Sequence, residues 1–465
     1  MATDTKGRGR RPILFALIAA CSAAGSLSAA DSAATKLLKA RTAEFRKDIT
    51  EVTDGVYTAT GYSVSTVSMI VGTDGVVIVD TGIDTVSAKA VLADFRKITD
   101  KPVKAVILTH GHGDHTGGLP IFTGGGKVQV WARANFNAES LVFRSAGLKI
   151  QAVRGARQGG FKLPPDQRIN NGVAKAYWPK RGGAIFESGG KGAVRPTHTF
   201  SQPRKRVRLA GVELDLVAAV GETYDHLYVW FPAKRVIFSG DNFYKSWPNL
   251  YPIRGAPYRN VRAWAEINDR MLKEGPEFLV AGHTRPILGK AKVAEALSSY
   301  RDAIRFVFDK TIEGMNKGLT PDELVEYVKL PKRLADKDHL REYYGNMQWG
   351  IRSIFTGHLG WFDGNASNLF PLSPAEEARR IAKLAGGADV LLKRAREALA
   401  DGDAQWAAQL CDHLLALNPK AAEPKRIKAD ALTALAEKLL TATGRNYYLT
   451  VAQELRAAAA SAAAE

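Results

Sequence analysis

The sequence predicts an α/β domain followed by an all-α region. Three features carry that reading. Between Gly55 and Gly289, short β-branched runs are punctuated by Gly, Asp and Thr. Beyond Pro286, apolar residues recur at three-and-four spacing. The N-terminus is basic, then apolar, then small. At 465 residues the chain exceeds one ordinary core. The expected segments are 1–30, 31–289 and 290–465.

The first segment reads as an export signal. "KGRGRR" is its basic part, "PILFALIAACSAAGSL" its apolar part, and "SLSAAD" offers cleavage after Ala30. Arg10-Arg11 also fits a twin-arginine signal, and Ile18–Cys21 a lipoprotein processing site. The expectation is release at Ala30 into the periplasm or the medium, with no integral membrane span in the mature chain. Cys21 and Cys411 are the two cysteines, so a disulfide framework is excluded. The net charge of +18 suits attraction of small anions or an anionic membrane surface. Basic residues are spread along the chain without a nucleic-acid motif, so no nucleic-acid partner is expected.

The α/β segment contains seven runs that read as strands: "TVSMIVG", "GVVIVDTG", "KAVILTH", "KVQVWA", "VELDLVAAVG", "LYVWFP" and "RVIFSGD". "TVSAKAVLADFRKI" reads as a helix between two of them. Several strands end in Asp, Gly or His, which gathers polar groups at one sheet edge, where α/β sites usually form. Residues 155–199 are rich in Gly, Arg and Pro and read as an insertion, either a lid or a surface excursion. In the helical region, "KVAEALSSYRDAIRFVFDKTIEGMN" is one helix ending near Gly318. "TPDEL" begins another, with Thr320 as N-cap, Pro321 at the first position and Glu323 closing a capping box. From Ala388 to Leu440 the helices come in tetratricopeptide-like pairs, which need a packing partner. The alanine-rich tail is expected to fray.

"VILTHGHGDHTGG", Val106 to Gly118, places three histidines and an aspartate just past an apolar strand. His110 and His112 point the same way at period two. The turn after them puts Asp114 and His115 on another side. Imidazole and carboxylate are standard zinc ligands, and this layout suits two metals a few ångströms apart. Gly117-Gly118 lets the next stretch of backbone pass close by.

These residues match every fixed position of T-H-x-H-x-D-H-x-G-G, and the sequence thereby resembles the metallo-β-lactamase superfamily. That resemblance implies an αββα sandwich, with Asp80 of "VVIVDTG" supporting a ligand. Where the superfamily usually has a further histidine, "AVGETYDHLYVWFP" has Glu222. The glutamate, the carboxylate of "FSGDNFY" and the stretch "YYGNMQWGIRSIFTGHLGWFDGNASNLFPL" resemble the alkyl sulfatases and their dimerisation domain. The resemblance implies His110, His112 and Glu222 on one zinc ion. Asp114, His115 and His283 of "AGHTRP" would hold the other, with Asp241 bridging or near both. It also implies a homodimer.

Two zinc ions would acidify a bridging water and polarise an ester. Asp114 and Arg254 are the catalytic candidates. Arg254, in "NLYPIRGAPYR", matches the family's sulfate-binding arginine and suits a planar, charged contact to the anion. Tyr344 and Asn346 are substrate-binding candidates, and Tyr343 a pocket contributor. His226 is either a support for a ligand or a packed histidine. Trp361 and Phe362 line the channel or a dimer contact, and His198, His339, His358 and His413 are structural or exposed. In the family, water attacks carbon and sulfate leaves. Many members carry a further sterol-carrier-like domain, which this sequence, ending soon after "AQELR", is expected to lack. The implied activity is hydrolysis of a small anionic alkyl sulfate. The alternatives are a hydrolase of another ester, phosphodiester or lactone, and a non-catalytic metal-dependent scaffold.

Overall fold

A computed structural model of the chain describes residues 1, 31–124, 126–175 and 194–464. The export signal, Cys21 and residues 176–193 of the expected insertion lie outside the described residues. Residues 32–465 form one compact unit.

Thirteen strands among the described residues make two sheets. The first contains β1 (Asp48–Thr53), β2 (Val56–Thr60), β3 (Val67–Val71), β4 (Val76–Val79), β5 (Val103–Ile107), β6 (Gln129–Arg133) and β7 (His198–Phe200), in that spatial order. The second contains β8 (Arg204–Leu209), β9 (Val212–Ala218), β10 (Leu227–Phe231), β11 (Val236–Phe238), β12 (Phe278–Val280) and β13 (Ile287–Leu288), also in sequence order. Strands β1–β4 form an antiparallel meander, whereas β4 through β7 pair in parallel.

Period-two alternation decides what each face touches. In β4, Val77 and Val79 turn to the core between the sheets and meet Leu214, Leu227 and Phe238. Val76 and Ile78 turn outward to Val91 and Phe95 of the helix Thr85–Phe95. On the far face, Tyr228, Trp230 and Ile237 are covered by the helices Val261–Lys273 and Lys290–Asn316. Four layers result, helix, sheet, sheet, helix, as the sequence implied. The 27-residue helix Lys290–Asn316 begins the helical region, yet it serves as an outer layer of the sandwich.

Every run read as a strand forms one. β1, β2, β7, β8, β12 and β13 were not legible in the sequence. β8, "RKRVRL", is a strand at the sheet's edge, with charged side chains that discourage further pairing. Arg204 and Arg206 both bond the buried Asp215 on β9.

The capping box at Thr320 and Glu323 forms, and Gly318 takes the left-handed conformation (φ 81°) just past the preceding helix. Helices Ala388–Ala400, Ala404–Leu417 and Ala422–Lys438 stack in sequence, and Ala442–Ala464 packs on the last of them. The tail expected to fray is helical through Ala464. Alanine has the strongest helix propensity, and Asn446, Leu449 and Ala452 anchor this helix in the protein. Residues 155–175 are a fixed part of the fold. Arg157 bonds Glu454 on the C-terminal helix at 2.7 Å, and a side chain at Gly172 would collide with the Tyr343 carbonyl.

Candidate metal centre

The site assembles at one edge of the sandwich, where several strands end. β4 delivers Asp80, β5 delivers His110 and His112, and the short helix Gly113–Thr116 carries Asp114 and His115. From the second sheet, the loop after β9 brings Glu222, the turn Gly240–Asn242 after β11 brings Asp241, and the loop after β12 brings His283. Close packing makes that convergence possible. A Cβ at Gly117 or Gly118 would strike the carbonyls of Ile83 and Thr81, and one at Gly282 would lie 2.1 Å from Asp241 Oδ1.

All seven residues implied as ligands come together. His110, His112, Glu222 and Asp241 form one group, and Asp114, His115 and His283 the other; within each, candidate ligand atoms lie within 4.8 Å of one another. Glu222 Oε2 is 3.6 Å from both His110 Nε2 and His112 Nδ1. Asp241 reaches both groups. Its Oδ2 lies 4.0 Å from His110 Nε2 and 3.0 Å from His283 Nε2, and its Oδ1 lies 3.2 Å from His115 Nε2.

Three buried atoms in this cluster have no hydrogen-bond partner: His115 Nε2, Glu222 Oε2 and Asp241 Oδ1. Orphaned buried polar atoms are rare because each carries an unrecovered desolvation cost. Nitrogen and oxygen donors left unpaired in both ligand groups fit divalent cations.

The other atom of several ligands is held from behind. His115 Nδ1 lies 2.8 Å from Asp80 Oδ2, and His283 Nδ1 lies 2.8 Å from the Val64 carbonyl. Asp80 also accepts from the Thr109 backbone N–H and hydroxyl, each at 2.8 Å. It sits at φ 57°, a strained conformation for a residue with a side chain. Glu222 Oε1 accepts from Arg259 Nη1 at 2.6 Å, both residues being buried, and the same Nη1 donates to the Asn249 carbonyl. Arg259 is a residue the sequence reading missed, although it closes the run "NLYPIRGAPYR" that supplied Arg254. His226 is a packed support. Its ring stacks on His110 at 4.7 Å, and its Nε2 accepts from the Asp241 backbone N–H at 3.0 Å.

Electrostatics divide the histidines. Burial, reinforced by His115 and His112, holds His110 well below the usual range. Burial also draws His226 down to about 3. For His115 and His283 the burial cost is outweighed by carboxylates, chiefly Asp241, and both are raised. Burial would raise Asp241, but His283 and His115 hold its carboxyl well below the ordinary value. The site concentrates negative charge that a cation would neutralise.

Above the ligands lies a cavity of about 720 Å³. Its floor includes His112, Asp114, Glu222 and Asp241. Helices Ala138–Ser145 and Ile150–Gln158 contribute Glu139, Phe143 and Gln158, the turn between them contributes Leu148, and the C-terminal region contributes Tyr344 and Thr443. Arg254 projects into it, with Nη2 3.4 Å from His112 Nε2.

Other candidates are placed elsewhere. Asn346 does not line this cavity; it caps the helix Met347–Leu359, accepting from Trp349 N–H and donating to Glu342. Its amide is engaged in that cap. Tyr343 packs with Leu38 and Ala442 under the Arg41 guanidinium. Trp361 and Phe362 meet edge to face away from the cavity.

Residues 60–283 match the Metallo-beta-lactamase superfamily, and residues 320–458 match the family described as Alkyl sulfatase dimerisation. A linear primary-alkylsulfatase from a Pseudomonas strain is 35% identical over 396 residues, covering 83% of this chain and 73% of that one. The chain belongs to the alkylsulfatase family. An (R)-specific secondary-alkylsulfatase from Pseudomonas is 32% identical, with 87% of this chain and 62% of the relative aligned. The solved stereoselective inverting sec-alkylsulfatase Pisa1, also from Pseudomonas, superposes with a TM-score of 0.80 at 32% identity, over 88% of this chain and 66% of its own. This alkylsulfatase-family chain thus spans 73% and 62% of the length of these two curated relatives. Membership makes it an enzyme, and the superfamily together with the ligand clusters makes it one that takes a divalent metal.

Proposed function

We propose that this enzyme hydrolyses alkyl sulfate esters to an alcohol and inorganic sulfate at a dizinc centre. The observation that carries the proposal is the shared carboxylate of Asp241 between two ligand groups, with the Arg254 guanidinium alongside in one cavity. A metal pair there supplies positive charge and an acidified water. Arg254, with its planar fork of donors, holds the sulfate oxygens. Phe143, Phe161 and Leu148 offer apolar surface to the alkyl tail, and Tyr344 closes the side toward the helical region. Asp114, the most open carboxylate of the ligand set, orients the attacking water. The ester monoanion and water become alcohol, sulfate dianion and one proton.

Export through residues 1–30 would place the mature enzyme in the periplasm or medium. A homodimer is supported by apolar side chains left open within or beside the dimerisation match: Trp361 is 73% exposed, Phe370 94% and Leu384 85%. No helix among the described residues is long and apolar enough to cross a membrane.

The test is sulfate release from primary and secondary alkyl sulfates by zinc-loaded protein, beside phosphodiesters and lactones. Release that stops on chelation and in His112→Ala is the expected outcome. Turnover confined to another ester class, or none with both metals bound, would refute the proposal.

A further inference from the structure

Arg254 already has an anionic neighbour. Glu139 Oε1 lies 3.7 Å from Arg254 Nη1 and 3.7 Å from His112 Nε2, and the Glu139 side chain is 13% exposed in the cavity wall. The helix that carries it, Ala138–Ser145, buries none of its residues, so packing does not explain an inward carboxylate. His112 faces Glu222 through Nδ1, which leaves Nε2 toward Glu139. An anion held by Arg254 must therefore share that guanidinium with a fixed negative charge.

We propose that Glu139 sets the charge selectivity of the sulfate pocket, admitting a monoanionic ester and disfavouring a dianion. This rests on the sulfatase reading above. An alkyl sulfate carries one negative charge, whereas inorganic sulfate and a phosphate monoester carry two at neutral pH. Repulsion by Glu139 grows with that charge. Hydrolysis consumes a monoanion and water and yields an alcohol, a dianion and a proton, so Glu139 weakens product against substrate and speeds clearance of the pocket. Glu139 is a specificity residue here, and its carboxylate also aligns the His112 ring.

The experiment measures binding of inorganic sulfate and of a non-hydrolysable alkyl sulfonate to metal-loaded protein, with Glu139→Gln and Glu139→Asp beside the unaltered chain. Glu139→Gln should tighten sulfate about tenfold, as removal of one partly screened charge implies. The monoanionic sulfonate should tighten about threefold or less, and Glu139→Asp should restore most of the discrimination. A purely structural role would weaken both ligands together and leave their ratio unmoved. If both anions bind and their ratio is the same in Glu139→Gln, the selectivity role is overturned while the sulfatase reading stands. If neither anion binds the unaltered, metal-loaded chain, the reading beneath it falls as well.

Discussion

The floor and the wall of the cavity are built on opposite plans. The floor consists of residues at and just past strand ends, several of them held from behind: His115 by Asp80, His283 by the Val64 carbonyl, Glu222 by Arg259. The wall consists of helices that stand away from the sheets, tied to neighbouring segments by side-chain bonds such as Arg154 to the Ile253 carbonyl and Arg157 to Glu454 on the C-terminal helix. Metal chemistry needs donor atoms fixed to fractions of an ångström, which packed strands supply. Substrate choice needs surface that differs among relatives, which helices and loops supply. Variants in the floor should therefore act through metal, and variants in the wall through substrate affinity.

Asp241→Ala tests the floor at its centre and has the largest expected effect. It removes a carboxylate that reaches both ligand groups. Turnover should fall to background and metal content should drop at both positions, read by elemental analysis. Chelation of the unaltered enzyme should also lower its melting temperature, because a ligand bound by the native state alone stabilises it. Two metals retained in Asp241→Ala would break the assignment of Asp241 as the shared carboxylate.

Arg259→Ala comes next and asks whether the support is as important as the ligand. It leaves Glu222 buried without its cation, a loss of about 3–5 kcal/mol for breaking such a pair. Metal affinity should fall about 10–100-fold, as for other residues that orient a ligand, measured by chelator competition. Arg259→Lys should recover only part, since one ammonium replaces a guanidinium fork. Unchanged metal affinity in a folded Arg259→Ala protein would make the ion pair purely structural.

Arg254→Ala moves to the wall. It should leave metal content intact and weaken the sulfate contact by about 2 kcal/mol, a charge-assisted hydrogen bond's worth, or roughly 30-fold in kcat/KM. Metal lost along with substrate affinity would erase the division between floor and wall.

The same division explains what the sequence revealed. The floor is legible because part of its chemistry is written in one run, His110 to His115, and the resemblance carried by that run supplied Glu222, Asp241 and His283. Seven of its strands are legible because buried β-branched runs such as "VVIV" read the same in any context, and the αββα arrangement of those strands was implied by the resemblance. The wall is not. Glu139 is one glutamate among many on an exposed helix, and nothing local marks it as facing Arg254. Arg259 was hidden beside the more conspicuous Arg254, since an arginine that will be buried carries no local sign of it. "RKRVRL" reads as surface charge, although three-dimensional pairing with β9 makes it a strand.

Asn346 gives the smallest and sharpest test, because it borders the wall without belonging to it. Its side chain accepts from the Trp349 N–H at 3.2 Å and donates to Glu342 Oε2 at 3.1 Å, while Glu342 Oε1 accepts from the Met347 N–H. Burial raises the Glu342 carboxyl, so the cap also supplies hydrogen bonds to a partly desolvated group. Asn346→Ala should cost about 1 kcal/mol of stability, the usual value of an N-cap, read by urea denaturation. KM should stay unchanged, because Tyr344, two residues earlier, is the part of this run that lines the cavity. A rise in KM at unchanged stability would put Asn346 back among the substrate contacts and extend the wall one helix further.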